Sequence, residues 1–475
     1  MSNLRAAAAR ATKGSPRVRV LFGVLAVVFL IGLVYRLGYL LPGARVYGDG
    51  YWRYDPIARN LLAGHGFSYE RAAPYTPDIF DVPGYPLFVT AIYALFGASP
   101  HAVALAQFLL ELLTLGLVYR IGKWAGLSQR SALIGAVLGW LLPNLASWCR
   151  ETYADVLASF AVSVLLGLLI RAWCKPKSVP LAMGMLLGAV AGVCAQIRVD
   201  IYPIVVFSGL ALAAKPAHGG LSKRFLLLAT YGLGSVLVLL PWTLRDYRLT
   251  GAVHPPGWQQ FTQASDPYLR WCNTWVDDPD YVLPYMLHRA QPDSIRTFPP
   301  DRIPDAIERS QAEAAYAKWI AAGTGGEPEA EFRRLAEIAE RRLTLKDQVR
   351  MRVRRLAMVW LKLPSMADLP GGKVSKIAKY AIWVVLLFGF CAALVFGVVR
   401  RQWWLVLPLG VIAGRMLIPL VSALGTEIRY QYPALPALFI MAGYGLDQCL
   451  TAFLARRRLA GDEPLTTENS FVRTA

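Results

Sequence analysis

The stretch VRVLFGVLAVVFLIGLVYRLGYLL, Val18 to Leu41, decides the fold. A helix needs roughly 20 apolar residues, at about 1.5 Å each, to cross a bilayer, and this run is long enough. The basic leader MSNLRAAAARATKGSPRVRV feeds into it. The run is too long for a signal-peptide core and has no small-residue cleavage site before Pro42, so it reads as a retained first span. Working outward, the same rule predicts further spans at 101–121, 131–149, 152–171, 180–197, 199–214, 223–243, 376–399, 402–421 and 431–454. The run YPLFVTAIYALFG, 85–97, is apolar but short and bracketed by Pro83, Pro86 and Pro100. It reads as a re-entrant or interfacial helix.

Composition agrees with an all-α polytopic membrane protein of about ten spans. Of 475 residues, 55% are hydrophobic and only 17% charged, which excludes an ordinary soluble domain. The net charge of +19 would suggest nucleic acid in a soluble chain. Here the basic residues concentrate in alternate connections, so membrane lipid headgroups are the expected anions and nucleic acid is not. Six scattered cysteines with no CxxC spacing give neither a disulfide framework nor a zinc site.

The positive-inside rule orients the chain. With the N-terminus inside, the clusters Arg5 to Arg19, Lys123 and Arg130, Arg171 to Lys177, Lys215 to Arg224, Arg400–Arg401 and Arg456 to Arg458 all fall on the cytoplasmic side. Counting 85–97 as a span would put most of them outside. The expected organisation is a basic cytoplasmic N-terminus, 1–17; a transmembrane module, 18–243, with a first outer loop, 42–100; an external domain, 244–375; C-terminal transmembrane helices, 376–454; and a cytoplasmic tail, 455–475. Patterns such as PDAIERSQAEAAYAKWIAAG and PEAEFRRLAEIAERRL predict a small, mainly helical external domain.

The charges that topology does not explain fall on the outer face. The opening loop, VYGDGYWRYDPIARNLLAGHGFSYER, Val46 to Arg71, carries Asp49 between two glycines and Asp55. The later outer turns carry Arg150, Glu151 and Asp155, then Arg198 and Asp200, then Glu427 and Arg429. Each turn sets an arginine beside carboxylates. Charge near the membrane interior costs several kcal/mol unless paired or hydrated. Any one pair is equally well an interfacial ion pair; three on one face point to a site. Arginine suits phosphate because its planar fork donates bidentate hydrogen bonds and keeps its proton. A carboxylate nearby can act as general base on an acceptor hydroxyl. Together they suit displacement of a lipid phosphate from a sugar carbon. His65 reads more readily as a turn residue after a helix ended by Gly64 and Gly66, and Asp55 as a residue favouring the helix dipole. Asp78 and Asp81 are substrate contacts or solvated loop residues. Arg245, after Pro241–Trp242, is a lipid-phosphate contact or an interfacial anchor. Trp271 and Trp275, four apart, are sugar-stacking faces or domain packing. The basic amphipathic segment 346–362 either belongs to a long loop exempt from the positive-inside rule or contacts anionic lipid or a lipid-linked acceptor.

GDGYWRYDPIARNLLAGHGFS and VPGYPLFVTAIYALFG resemble the first outer loop of GT-C-type glycosyltransferases, the membrane enzymes related to protein O-mannosyltransferases and lipid A aminoarabinose transferase (glycosyltransferase family 39-like). RETYADVLASF, QIRVDIYPIV, LPWTLRDYRLTG and EIRYQYPALPALFIMAGYGL resemble later landmarks of the same family. The resemblance implies a GT-C fold with a seven-span module before a long outer loop. It implies inverting transfer from a polyprenyl-phosphate sugar, with Asp49 as the base and Asp55 as the alternative. It further implies that Arg198 and Arg429 neutralise the departing phosphate, and that Asp81, Arg150, Glu151, Asp155, Asp200 and Glu427 contact substrate. FDVPGYP has Asp81 but lacks the lysine that aminoarabinose enzymes carry beside their acidic residue, so their substrate is not carried over. The implied location is a bacterial inner membrane, with the site facing the periplasm, both termini in the cytoplasm and a role in the cell envelope. No cofactor is read with certainty; the acidic clusters leave a divalent metal open. The acceptor is protein, lipid or polysaccharide. The competing functions are a lipid-linked oligosaccharide ligase with a diphosphate donor and a transporter or flippase, the latter disfavoured by the lack of an internal repeat.

Overall fold

A computed structural model describes residues 27–34, 36–37, 51–142, 148–175, 177–215, 220–262, 266–287, 297–322, 328–361, 372–426 and 428–461. Asp49 and Glu427 lie outside these residues, as do 18–26, 35 and 38–41 of the first expected span.

The protein is an all-α, multi-pass membrane protein. Two helices form the described part of the expected first outer loop, α1 (Tyr51–Leu62) and α2 (Gly84–Phe96). The helices that follow are α3 (Pro100–Trp124), α4 (Gln129–Leu141), α5 (Asp155–Cys174), α6 (Leu181–Ile197), α7 (Tyr202–Ala214) and α8 (Leu221–Thr250). Near the C-terminus come α13 (Gly372–Val399), α14 (Val406–Val421) and α15 (Leu435–Gly461). Six of the described helical segments are long and apolar enough to span alone, and Gly84–Phe96, Leu181–Ile197 and Val199–Ala214 are shorter apolar helices. At 13 residues, α2 is too short to cross, as its flanking prolines predicted.

Small residues let these helices approach. In α6, Gly184, Gly188 and Gly192 recur every four residues along the face that meets α8. A Cβ on Gly188 would sit 1.9 Å from the Tyr231 carbonyl oxygen. This is the small-xxx-small packing expected where lipid removes any hydrophobic drive between helices. Ser235 of α8 adds a hydrogen bond to the Gly188 carbonyl at 2.9 Å.

A second hydrophobic core lies in the segment between α8 and α13. Helices α9 (Pro267–Cys272), α10 (Ala306–Ala322) and α11 (Glu329–Arg342) bury Tyr268, Trp271, Trp275, Phe298, Tyr316, Trp319 and Phe332 together. Trp271 and Trp275 meet edge to face with centroids 5.7 Å apart; both are buried, so they pack the core. The Trp271 indole donates to Glu308 at 2.8 Å. Helix α12 (Leu345–Leu361) returns the chain to the spans. The boundary expected at 243 falls inside α8, which runs on to Thr250.

Candidate active site

Gly84, in VPGYP, brings the first outer loop to the bundle. A Cβ there would lie 2.6 Å from the Gln196 carbonyl oxygen, so only glycine lets α2 start against the end of α6. Two residues on from Gln196 is Arg198. Arg198 grips Asp200 with two parallel bonds, Nε to Oδ1 at 3.0 Å and Nη2 to Oδ2 at 2.7 Å. Its Nη1 donates to Asp155 Oδ1 at 2.5 Å. Asp155 opens α5, and Asp200 sits in the short 3-10 turn Val199–Ile201. The sequence pairs separated by more than 40 positions are thus one ion-pair network.

Arg415, from inside α14, joins this network and was missed at the sequence level. Its Nη2 lies 3.3 Å from Asp200 Oδ2, its Nε donates to the Tyr430 carbonyl, and its side chain is 1% exposed. Its Nη1 has no hydrogen-bond partner among the described residues. The available signal was an arginine within an expected span, a placement that marks function by default. Arg429 completes the set. The guanidinium carbons of Arg198, Arg415 and Arg429 lie 4.9, 5.2 and 5.3 Å from the Tyr430 ring centroid, and Arg429 also lies over Tyr153 at 4.4 Å. Three guanidiniums therefore gather around one ring, with Asp155 and Asp200 as the carboxylates joined to them. An aromatic face tolerates cations without neutralising them. Guanidiniums gathered in this way suit an anion with several acceptor oxygens.

Beside this cluster stands a second clamp. Arg53 of α1 donates from Nε to Asp81 and from Nη2 to Asp78 at 3.2 Å. Burial pushes the Asp81 carboxyl up to about 7, with Arg53 pulling the other way and Asp78 adding to the rise. Arg53 lies over Phe80 at 4.4 Å and Tyr69 at 5.1 Å. Tyr54 is within electrostatic range of both Asp81 and Arg198. Its ring meets Tyr85 edge to face at 4.9 Å. Tyr85 donates to Gln107, which donates in turn to the carbonyls of Cys149 and Glu151. Arg150 and Glu151 pair with each other at 3.0 Å.

The remaining candidates sit differently. Asp55 is buried inside α1, with Arg59 donating to one carboxylate oxygen at 2.9 Å and the Tyr93 hydroxyl to the other at 2.7 Å. Arg245 pairs with Asp246 at 2.9 Å and lies between Trp242 and Phe67, at 4.5 and 5.2 Å; these contacts hold the first outer loop to α8. His65 is exposed and stacks on Tyr75 at 4.1 Å. Among the described residues no three His, Cys, Asp or Glu side chains gather as a metal ion requires. A second charged pair was also missed. Arg36 of the expected first span meets Glu111 of α3, Nη2 to Oε1 at 2.5 Å, with both side chains buried, and lies 3.9 Å above the Trp140 ring.

Residues 77–243 match the family model for dolichyl-phosphate-mannose-protein mannosyltransferase. That stretch is about a third of the chain. It contains Asp78, Asp81, Arg150, Glu151, Asp155, Arg198 and Asp200. Among solved structures, ArnT from Cupriavidus metallidurans bound to undecaprenyl phosphate is similar at 16% identity and a TM-score of 0.41, over 95% of this chain and 83% of that one. The oligosaccharyltransferase AglB from Archaeoglobus fulgidus, in complex with an inhibitory peptide and a dolichol-phosphate, is similar at 13% identity and a TM-score of 0.46. That likeness spans 94% of this chain and 52% of AglB. No curated protein matches the chain at a significant level.

Proposed function

We propose that the protein is an inverting membrane glycosyltransferase that moves a sugar from a polyprenyl phosphate to an acceptor at the outer, periplasmic face of a bacterial inner membrane, with both termini in the cytoplasm. The observation that carries this reading is the gathering of Arg198, Arg415 and Arg429 around Tyr430. The cluster offers a departing phosphate monoester a fixed set of donors, each typically worth a few kcal/mol in the transition state. Asp49 takes the proton from the acceptor hydroxyl as that oxygen bonds to the sugar C1. The C1–O bond to phosphate breaks, and the electron pair leaves on the polyprenyl phosphate. Asp155 and Asp200 hold Arg198 in place, while Arg150, Glu151 and Glu427 contact sugar or acceptor. Asp55 has both carboxylate oxygens engaged, which favours Asp49 as the base.

The deciding experiment follows release of free polyprenyl phosphate from a panel of polyprenyl-phosphate sugars, using purified protein in lipid with a crude envelope extract as acceptor. The expected result is release by the wild type and loss in Asp49→Asn, with Asp55→Asn milder. Equal release by wild type and Asp49→Asn would move the base elsewhere. Folded protein that releases nothing from any donor would overturn the reading in favour of a diphosphate ligase or a transporter.

A further inference from the structure

Helix α12 has two faces with different occupants. The inner face is fixed to protein. Buried Arg355 donates to the carbonyls of Asn273 at 2.6 Å and Val276 at 3.0 Å, and Arg354 pairs with Asp277 at 3.2 Å. At its C-terminal end the Trp360 indole reaches Met416 of α14 at 3.1 Å. The Trp383 indole of α13 donates to the Trp360 carbonyl at 2.6 Å, and the two rings stack at 6.1 Å. The helix is therefore bolted at one end to two membrane spans.

The outer face is apolar and basic together. Leu345, Val349 and Val353 are 74%, 49% and 59% exposed. Their spacing of four places them in one stripe on the exposed side of the helix. Lys346, Arg350 and Arg352 are exposed beside the stripe, and Asp347 is the helix's one acidic residue. An apolar stripe flanked by cations, on a helix fixed to membrane spans, is the pattern of a helix lying in the headgroup layer. Each basic residue near an anionic leaflet contributes about 1 kcal/mol of attraction.

We propose that the outer face of α12 lies on anionic phospholipid headgroups of the outer leaflet, with Leu345, Val349 and Val353 at the acyl boundary and Lys346, Arg350 and Arg352 on phosphates. This surface is independent of the reaction assigned to the outer-face site. It gives the segment between α8 and α13 a second hold on the membrane, away from the spans themselves.

The test uses the full chain, with Cys174, Cys391 and Cys449 replaced by alanine, in nanodiscs of phosphatidylcholine with or without phosphatidylglycerol. A spin label is placed at Val349→Cys or, as a water-exposed control, at Glu337→Cys on α11. The expected result is a higher ratio of oxygen to nickel-chelate accessibility at 349 than at 337, rising with phosphatidylglycerol. Arg350→Gln and Arg352→Gln should each shift the label toward water by about fivefold. Equal ratios at 349 and 337 in both discs would overturn the proposal, because the face would then be in solvent. A label shielded from both reagents would overturn it too, by placing protein on the stripe. Unchanged elution of the variants, whose altered side chains are exposed, excludes misfolding as the cause.

Discussion

Arg415 and Arg198 share one carboxylate: Asp200 Oδ2 lies 3.3 Å from Arg415 Nη2 and 2.7 Å from Arg198 Nη2. Sharing makes the two arginines unequal. Arg198 is saturated by Asp155 and Asp200, whereas buried Arg415 keeps a nitrogen with no hydrogen-bond partner among the described residues. The first is a structural ion pair that also faces the site, and the second holds spare donor capacity for a ligand.

The two arginines should separate by experiment. Arg198→Gln leaves Asp155 and Asp200 short of a cation and should cost about 3–5 kcal/mol of stability, read as a large fall in Tm in detergent. Arg415→Gln should lower Tm far less. It should weaken polyprenyl phosphate binding roughly tenfold or more, the loss of one charge-assisted hydrogen bond.

The Arg53 clamp should confer pH dependence. Asp81 is raised from an ordinary value of 3.8 to about 7 by burial. The folded state therefore binds a proton that the unfolded state has lost between about pH 4 and 7. That contribution to stability is present at low pH and is lost as pH rises through about 7. The ion pair with Arg53 strengthens over the same interval, because it needs the ionised carboxylate. Donor turnover that depends on the closed clamp should increase from pH 6 to 8, and Asp81→Asn should flatten that rise. A profile identical in both proteins would remove Asp81 from the site.

Gly188→Leu should separate α6 from α8. With the Tyr231 carbonyl 1.9 Å from the first added carbon, the side chain cannot be housed without moving a backbone. A loss of about 3 kcal/mol or more is expected, measured as a fall in Tm. Gly116, with nothing within 4 Å of an added Cβ, is the control position and should tolerate alanine.

Trp271→Ala should unfold the aromatic core between α8 and α13. The substitution empties a fully buried site and strips Glu308 of its indole donor, at a cost of about 3–5 kcal/mol. Limited proteolysis should then cut within 266–342 while the membrane helices stay protected. Trp271→Phe should lie between wild type and alanine.

The sequence by itself determined where the long apolar helices lie. Run length, proline placement and the side on which lysines and arginines collect are local quantities, and a bilayer reads them locally. The long apolar helices, 85–97 as a short helix and Gly64 and Gly66 beyond the end of α1 needed nothing more. The pairing of Arg198 with Asp200 was equally legible, because the two are neighbours in the chain. Only the tertiary structure decided that Asp155 joins them, that Arg415 from the middle of α14 supplies the third guanidinium around Tyr430, and that Asp55 is tied to Arg59 and Tyr93. Those relations depend on which helices touch, and helix contact in a membrane is set by close packing at small residues such as Gly84 and Gly188. Hydropathy marks where helices lie but carries no record of which faces meet.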